Sequence, residues 1–334
     1  MNVKKWASGL LTLLVLFSFS LPFAEAKTKE NNTAFIDVAV ATQWAEPNIL
    51  REIDVLSASN PVDMRKWTEN LTYEDKLWLV GKLETQALYG SKVTILEEKG
   101  NWVKVAVQGQ PTPRNPLGYP GWIPKKQIVK NKTFAKMQKK PFALITAPTA
   151  WLYEDKKRKK KFMEISFNTR LPVIKETKNA LFVLTPSDGA KWLDQKAARI
   201  YKSEKDIPTP TGQDLYKTAK QFLGLPYLWA GMSGFGFDCS GFTHSIYKAH
   251  GITIPRDSSV QATHGLPVER ENLSVGDLVF FAYNEGKGRV HHVGMYIGDG
   301  KMIHSPNSST HVRIDDIETS GYGHEYAGAR RYLD

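Results

Sequence analysis

The sequence predicts a multidomain protein: two small all-β barrels in a row, followed by a larger α+β domain. Three observations predict it. Short strand-like segments separated by turn signals fill the first two-thirds of the chain, and their order recurs, each time ending in a glycine-then-tryptophan strand. The stretch Pro208-Thr209-Pro210-Thr211-Gly212 then breaks the pattern as a linker. Beyond it, helical periodicity comes first and alternating strands follow, the signature of an α+β unit. At 334 residues the chain has room for two or three domains of roughly 100–150 residues each.

The N-terminus reads as an export signal. Met1-Asn2-Val3-Lys4-Lys5 is a short basic start, Trp6 to Phe23 is apolar apart from small residues and serines, and Ala24-Glu25-Ala26 offers small residues where a signal peptidase reads. Residues 1–26 are therefore expected to be removed, leaving a protein that is secreted or associated with the cell wall. The chain has one cysteine, which excludes an intramolecular disulfide framework; by composition alone a solitary thiol reads as a small buried apolar residue, and only its local sequence, below, reverses that. The formal charge is +11, and +10 without residues 1–26. A basic exported surface suits anionic wall polymers. Nucleic acid is not expected: the densest basic run, Lys156 to Lys161, reads as a solvated loop.

The first all-β domain is placed at 34–130, with a helical insertion near 45–80 where Leu50 to Leu56 and Asp63 to Trp67 carry apolar residues at helical spacing. Strands are expected at Gln86–Gly90, Lys92–Leu96, Trp102–Val107 and Gly121–Pro124. A loop with four prolines, Gln108 to Pro120, separates the last two. The second domain, 131–205, has strand signals at Ala150–Tyr153, Thr169–Ile174, Leu181–Leu184 and Gly189–Leu193. Both domains resemble bacterial SH3-type domains. The first does so through Tyr89-Gly90, Trp102-Val103-Lys104-Val105 and Gly121-Trp122-Ile123-Pro124, the second mainly through the order of its segments. The third domain, 209–334, has helices expected at Asp214–Phe222 and Phe242–His250, then strands at Asp277–Ala282, His292–Ile297, Lys301–Ser305, Val312–Ile314 and near Ala327–Leu333.

The chemistry concentrates in the third domain. Cys239 stands where a loop rich in glycine (Gly231, Gly234, Gly236) turns into an apolar-striped helix. A helix N-terminus favours a thiolate and supplies N–H groups for an oxyanion. His292 alternates with Gly294 and Tyr296 on one strand face, while His304 ends the next strand beyond the Gly298-Asp299-Gly300 turn. In such a hairpin the two imidazoles can be neighbours, as a base and its orienting group must be. His291 points to the opposite face, and His244, His250, His264, His311 and His324 are read as incidental. One Cys and two His without short ligand spacing do not make a zinc site, so neither a metal nor another cofactor is expected.

At these residues the resemblance becomes specific. Asp238-Cys239-Ser240-Gly241, His292-Val293-Gly294 and Ile303-His304 look like the motifs of the NlpC-type cell-wall cysteine peptidases. Pro226-Tyr227-x-Trp229, Ile254-Pro255-Arg256 and Val275 to Phe281 stand in the same order as in that family. With two SH3-like domains upstream, the arrangement is similar to the YkfC-type γ-D-glutamyl-L-diamino acid endopeptidases. The resemblance implies a papain-like core with Cys239 as nucleophile, His292 as base, His304 as the residue orienting it, and Tyr227 beside the thiol supporting the oxyanion. Ala230 stands where glycine is common in the family, a departure expected to be tolerated.

The resemblance also implies a substrate, murein peptides of the type L-Ala-γ-D-Glu-L-diamino acid. Glu84 and Tyr119 match positions that reach into the cleft from the first SH3-like domain, where they would hold a free N-terminal L-Ala amine. Asp238, Ser240, Asp257 and Ser258 would add acceptors and hydroxyls from the catalytic side. A monomer is expected. Three alternatives stay open: a general wall DL-endopeptidase acting on intact peptidoglycan, a non-catalytic wall-binding protein, and an acyltransferase or lipid hydrolase on the same core.

Overall fold

The computed structural model describes residues 32–333; the expected export signal at 1–26 lies outside the described residues. The first all-β domain contains β1 (Thr33–Ile36), β2 (Val40–Trp44), β3 (Leu83–Leu88), β4 (Lys92–Lys99), β5 (Trp102–Val107), β6 (Tyr119–Pro124) and β7 (Ile128–Val129). They form one antiparallel sheet in the order β3-β2-β6-β5-β4-β1-β7. The second domain contains β8 (Phe142–Ile145), β9 (Thr149–Tyr153), β10 (Lys161–Ser166), β11 (Arg170–Glu176), β12 (Ala180–Leu184), β13 (Ala190–Asp194) and β14 (Ala198–Tyr201). Its order, β10-β9-β13-β12-β11-β8-β14, repeats the first strand for strand. The repeat read in the sequence is thus a repeat of topology.

Three strands of the second domain escape the sequence reading. β8 and β14 pair with each other over only four residues each, too short for an alternation to register. β10 begins at Lys161, the last residue of the basic run expected to be loop, and pairs with β9. In the first domain β6 begins at Tyr119, inside the expected proline loop, because Pro120 sits opposite Ala106 without disturbing the pairing.

The helical insertion lies between β2 and β3 as Val55–Ala58, Met64–Asn70 and Tyr73–Trp78. Its starts are set by caps: Asp63 accepts from the Lys66 N–H, and Thr72 and Asp75 form a reciprocal capping box. Trp67 is fully buried and donates through Nε1 to Asp54 at 3.1 Å. It joins Trp44, Trp102 and Trp122 in a core that continues into Leu228, Ala230 and Phe235 of the third domain.

The third domain opens with the Gly212–Ala219 helix, capped by Thr211 and Asp214. A two-stranded ribbon follows, β15 (Met232–Ser233) with β16 (Gly236–Phe237), and then the Cys239–Ala249 helix. That helix packs against an antiparallel sheet of β17 (Leu266–Val268), β18 (Leu278–Ala282), β19 (Val290–Gly298), β20 (Lys301–His304), β21 (Arg313–Asp316) and β22 (Tyr326–Arg331), in the order β17-β22-β18-β19-β20-β21. Phe242, Ile246 and Tyr247 of the helix meet Leu278, Phe280, Val293 and Met295 of the sheet. Burying such side chains contributes roughly 1.5–3 kcal/mol each, which anchors the helix on the strands.

Candidate active site

Cys239 is the first residue of its helix, and Asp238 is the N-cap, accepting from the Gly241 N–H at 2.6 Å. Glycine is required at 241, since a Cβ there would meet the Gly231 carbonyl oxygen at 2.1 Å. Ala230 adopts a left-handed φ of 61°, a strain of about 1–2 kcal/mol for an L-residue. The departure noted in the sequence therefore carries a backbone cost. Cys239 itself is 8% exposed and opens into a cleft of about 670 Å³.

Burial, and then the Asp238 charge, push the thiol up to about 12, while Arg256 and the N–H groups of Ser240 and Val293 pull it down. The helix-start argument from sequence thus meets a stronger opposing effect. Burial also drives His292 well below the ordinary imidazole value, with the His304 and His291 charges adding to it. Each group alone is held neutral.

His292 and His304 come together across the β19–β20 hairpin, with His292 Nε2 and His304 Nδ1 2.7 Å apart. The contact behind them was not foreseen: His304 Nε2 lies 3.0 Å from Asp315 Oδ2, and Arg313 Nε holds the same oxygen at 2.8 Å. The His304 hydrogen bond, opposed by burial and helped by Arg313, keeps the Asp315 carboxyl below its ordinary value, so it accepts. His304 must then donate from Nε2 and accept at Nδ1, and neutral His292 must donate from Nε2. The lone pair left on His292 is at Nδ1, free to take a proton. Tyr322 stacks on the His292 ring at 4.3 Å and 15°.

Tyr227 lines the same cleft. Burial, then Cys239 and Asp238, raise its hydroxyl well above the ordinary value, so it stays a donor.

The residues expected to touch substrate fall into two groups. Asp238 and Ser240 line the cleft but are engaged in the scaffold. Arg256, fully buried, donates to both Asp238 oxygens at 3.1 and 2.7 Å and to Ser240 Oγ at 2.9 Å. Its Nε reaches Thr85 Oγ1 of the first domain at 3.0 Å. Glu84, Tyr119, Asp257 and Ser258 line the cleft as well. There Arg114, unforeseen, grips Glu84 through both Nη atoms, and its Nη1 reaches the Tyr119 hydroxyl at 3.1 Å. That hydroxyl donates to Asp257 Oδ1 at 3.0 Å. The insertion contributes Tyr73, Leu77 and Val80 to the rim.

Asp315 had a readable signal, lying two residues beyond the strand position opposite His304. Arg114, in a proline-rich loop, had none.

A buried thiol at a helix start, with N–H groups about it and an imidazole whose free nitrogen is set by a histidine–aspartate pair, defines a cysteine hydrolase. Comparison with known proteins makes this particular. Residues 224–331 match the NlpC/P60 family and residues 145–201 the YKFC SH3b2 domain. The chain is 56% identical to a γ-D-glutamyl-L-lysine dipeptidyl-peptidase of Bacillus cereus over 99% of its length and 100% of the relative's. A Bacillus subtilis protein of the same name is 41% identical over 88% of this chain and 96% of its own. A crystal structure of an NlpC/P60 family protein from Bacillus cereus, 57% identical, superposes with a TM-score of 0.88 over 90% of this chain and 100% of that one. The chain belongs to the NlpC/P60 family and is a cysteine peptidase of cell-wall peptides, with an SH3b domain ahead of the catalytic one.

Proposed function

We propose that the protein is exported and hydrolyses the γ-D-glutamyl–L-diamino acid bond of murein peptides that carry a free N-terminal L-Ala. The observation carrying this is the acidic wall of the cleft. Glu84, Tyr119 and Asp257 stand together in the cleft that Cys239 lines, and a carboxylate with neighbouring acceptors is what an N-terminal ammonium needs. The names of the Bacillus relatives support the bond type.

In this reading Cys239 Sγ attacks the side-chain carbonyl carbon of D-Glu as its proton passes to His292 Nδ1. The tetrahedral oxyanion is held by N–H groups at the helix start together with the Tyr227 hydroxyl. The imidazolium then gives its proton to the departing amine of the diamino acid, leaving a thioester. Water, deprotonated by His292, attacks the thioester and releases the γ-carboxyl product and the thiol. His304 and Asp315 hold the imidazole in its working tautomer throughout.

The test is a mass-spectrometric digest of L-Ala-γ-D-Glu-L-Lys and its meso-diaminopimelate analogue, each beside its N-acetylated twin, with Cys239→Ala as control. Cleavage at the γ-bond of the free-amine peptides only, absent in the mutant, is expected. Equal cleavage of the acetylated twins would replace this reading with a general wall endopeptidase.

A further inference from the structure

We propose that Arg114 is a built-in occupant of the amine pocket, a protein cation that the substrate's N-terminal ammonium must displace. The inference rests on the reading of Glu84 and Tyr119 as the amine site. The side-chain hydrogen bonds of Arg114 all go to those two residues: Nη1 and Nη2 to the Glu84 carboxylate, and Nη1 also to the Tyr119 oxygen. Its guanidinium further lies 5.2 Å from the centre of the Tyr119 ring. These are the acceptors an ammonium would take, and a forked guanidinium fits a carboxylate bidentately. An ammonium arriving at these acceptors therefore competes with Arg114 for them.

The loop is built to let one side chain leave. Its root is fastened: Gln110 Nε2 donates to the Gln86 carbonyl at 2.7 Å, Thr85 donates to Gln110 Oε1 at 2.7 Å, and the Arg256 N–H donates to the Pro111 carbonyl at 3.0 Å. Arg114 stands at the tip, its side chain 44% exposed, so the guanidinium can swing into water without moving the root. With the Glu84 side chain 18% exposed as well, water and a second cation can reach the pair. A peptide with a blocked amine has no cation to offer Glu84 in return. Arg114 thereby lowers the apparent affinity for free-amine peptides, because the site is available only in the fraction of molecules where Arg114 is out.

The experiment compares wild type with Arg114→Ala and Arg114→Gln on L-Ala-γ-D-Glu-L-Lys and on its N-acetylated twin, with Glu84→Gln run beside them. Both Arg114 variants should lower KM for the free-amine peptide by about five- to tenfold, with kcat unchanged, and leave the acetylated twin no better a substrate. An unchanged or raised KM, or equal improvement for both peptides, would overturn the proposal. Glu84→Gln separates the two layers. If it leaves KM for the free-amine peptide unchanged, the amine reading itself fails. If it raises KM while the Arg114 variants do not lower it, only the role of Arg114 fails.

Discussion

At the scale of single residues, the site is governed by which nitrogen carries which proton. Asp315 is the end of a chain that runs through His304 to His292, and its charge decides both tautomers. Replacing it with alanine should lower kcat on the order of tenfold to hundredfold, since the base is then free to present the wrong nitrogen. Asparagine, which keeps an acceptor oxygen, should lose less, and neither change should move KM; steady-state kinetics on the two variants decides it, and an unchanged kcat in the alanine variant would mean that Asp315 does not set the tautomer. The direction of the His292 shift gives a second expectation. A base held below its ordinary value stays neutral as pH falls, so the acid limb of reactivity should lie below 6.5. The pH profile of kcat/KM on L-Ala-γ-D-Glu-L-Lys, which reports the base of the free enzyme, is the measurement. An acid limb at or above 6.5 would mean that His292 is not held neutral by its burial among His304, His291 and Tyr322.

At the scale of elements, the Cys239–Ala249 helix is held at its start by Asp238, and Asp238 is held by Arg256. The Arg256 side chain is 2% exposed and that of Asp238 12%. Removing Asp238 leaves a buried guanidinium without its charge partner, a loss of about 3–5 kcal/mol. Asp238→Ala should therefore lower unfolding free energy by that order in denaturant titration. A residue that only contacts substrate would instead raise KM with stability intact, and that outcome would restore Asp238 to the substrate. The same pair shows what could be read beforehand. Asp238-Cys239 at a helix start was legible because capping residues and apolar spacing are local signals. The β19–β20 hairpin was legible from alternation around a Gly-Asp-Gly turn. Arg256 and Arg114 carry roles set by groups far away in sequence, Thr85 and Glu84 among them, which no window along the chain contains. β8 and β14 were hidden for a related reason: each is specified by pairing with the other rather than by its own pattern.

At the scale of the whole molecule, the three domains share cores. Phe167 of the second domain stacks edge-on against Phe222 of the third at 5.0 Å, and Phe35 and Tyr89 of the first lie in the core of the second. Trp229 Nε1 donates to the Leu83 carbonyl at 3.1 Å, and Gln86 Oε1 accepts from the Met232 N–H and the Ser233 hydroxyl, both at 3.0 Å. Interfaces of this kind should make residues 32–333 unfold in one calorimetric transition, and an early, separate melting of the second domain would contradict that. The β15–β16 ribbon is where this coupling reaches the chemistry. A Cβ at Gly234 would meet the Pro148 carbonyl oxygen of the second domain at 1.9 Å, so Gly234→Ala must lift the ribbon off that domain. The ribbon runs through Phe237 directly into Asp238 and Cys239, and Ser305 next to His304 donates to the Phe237 carbonyl at 2.8 Å. Displacing the ribbon should therefore shift the thiol against its base. Gly234→Ala is expected to lower the melting temperature and kcat together. A lowered melting temperature with kcat intact would mean that the second domain steadies the fold without holding the nucleophile in place.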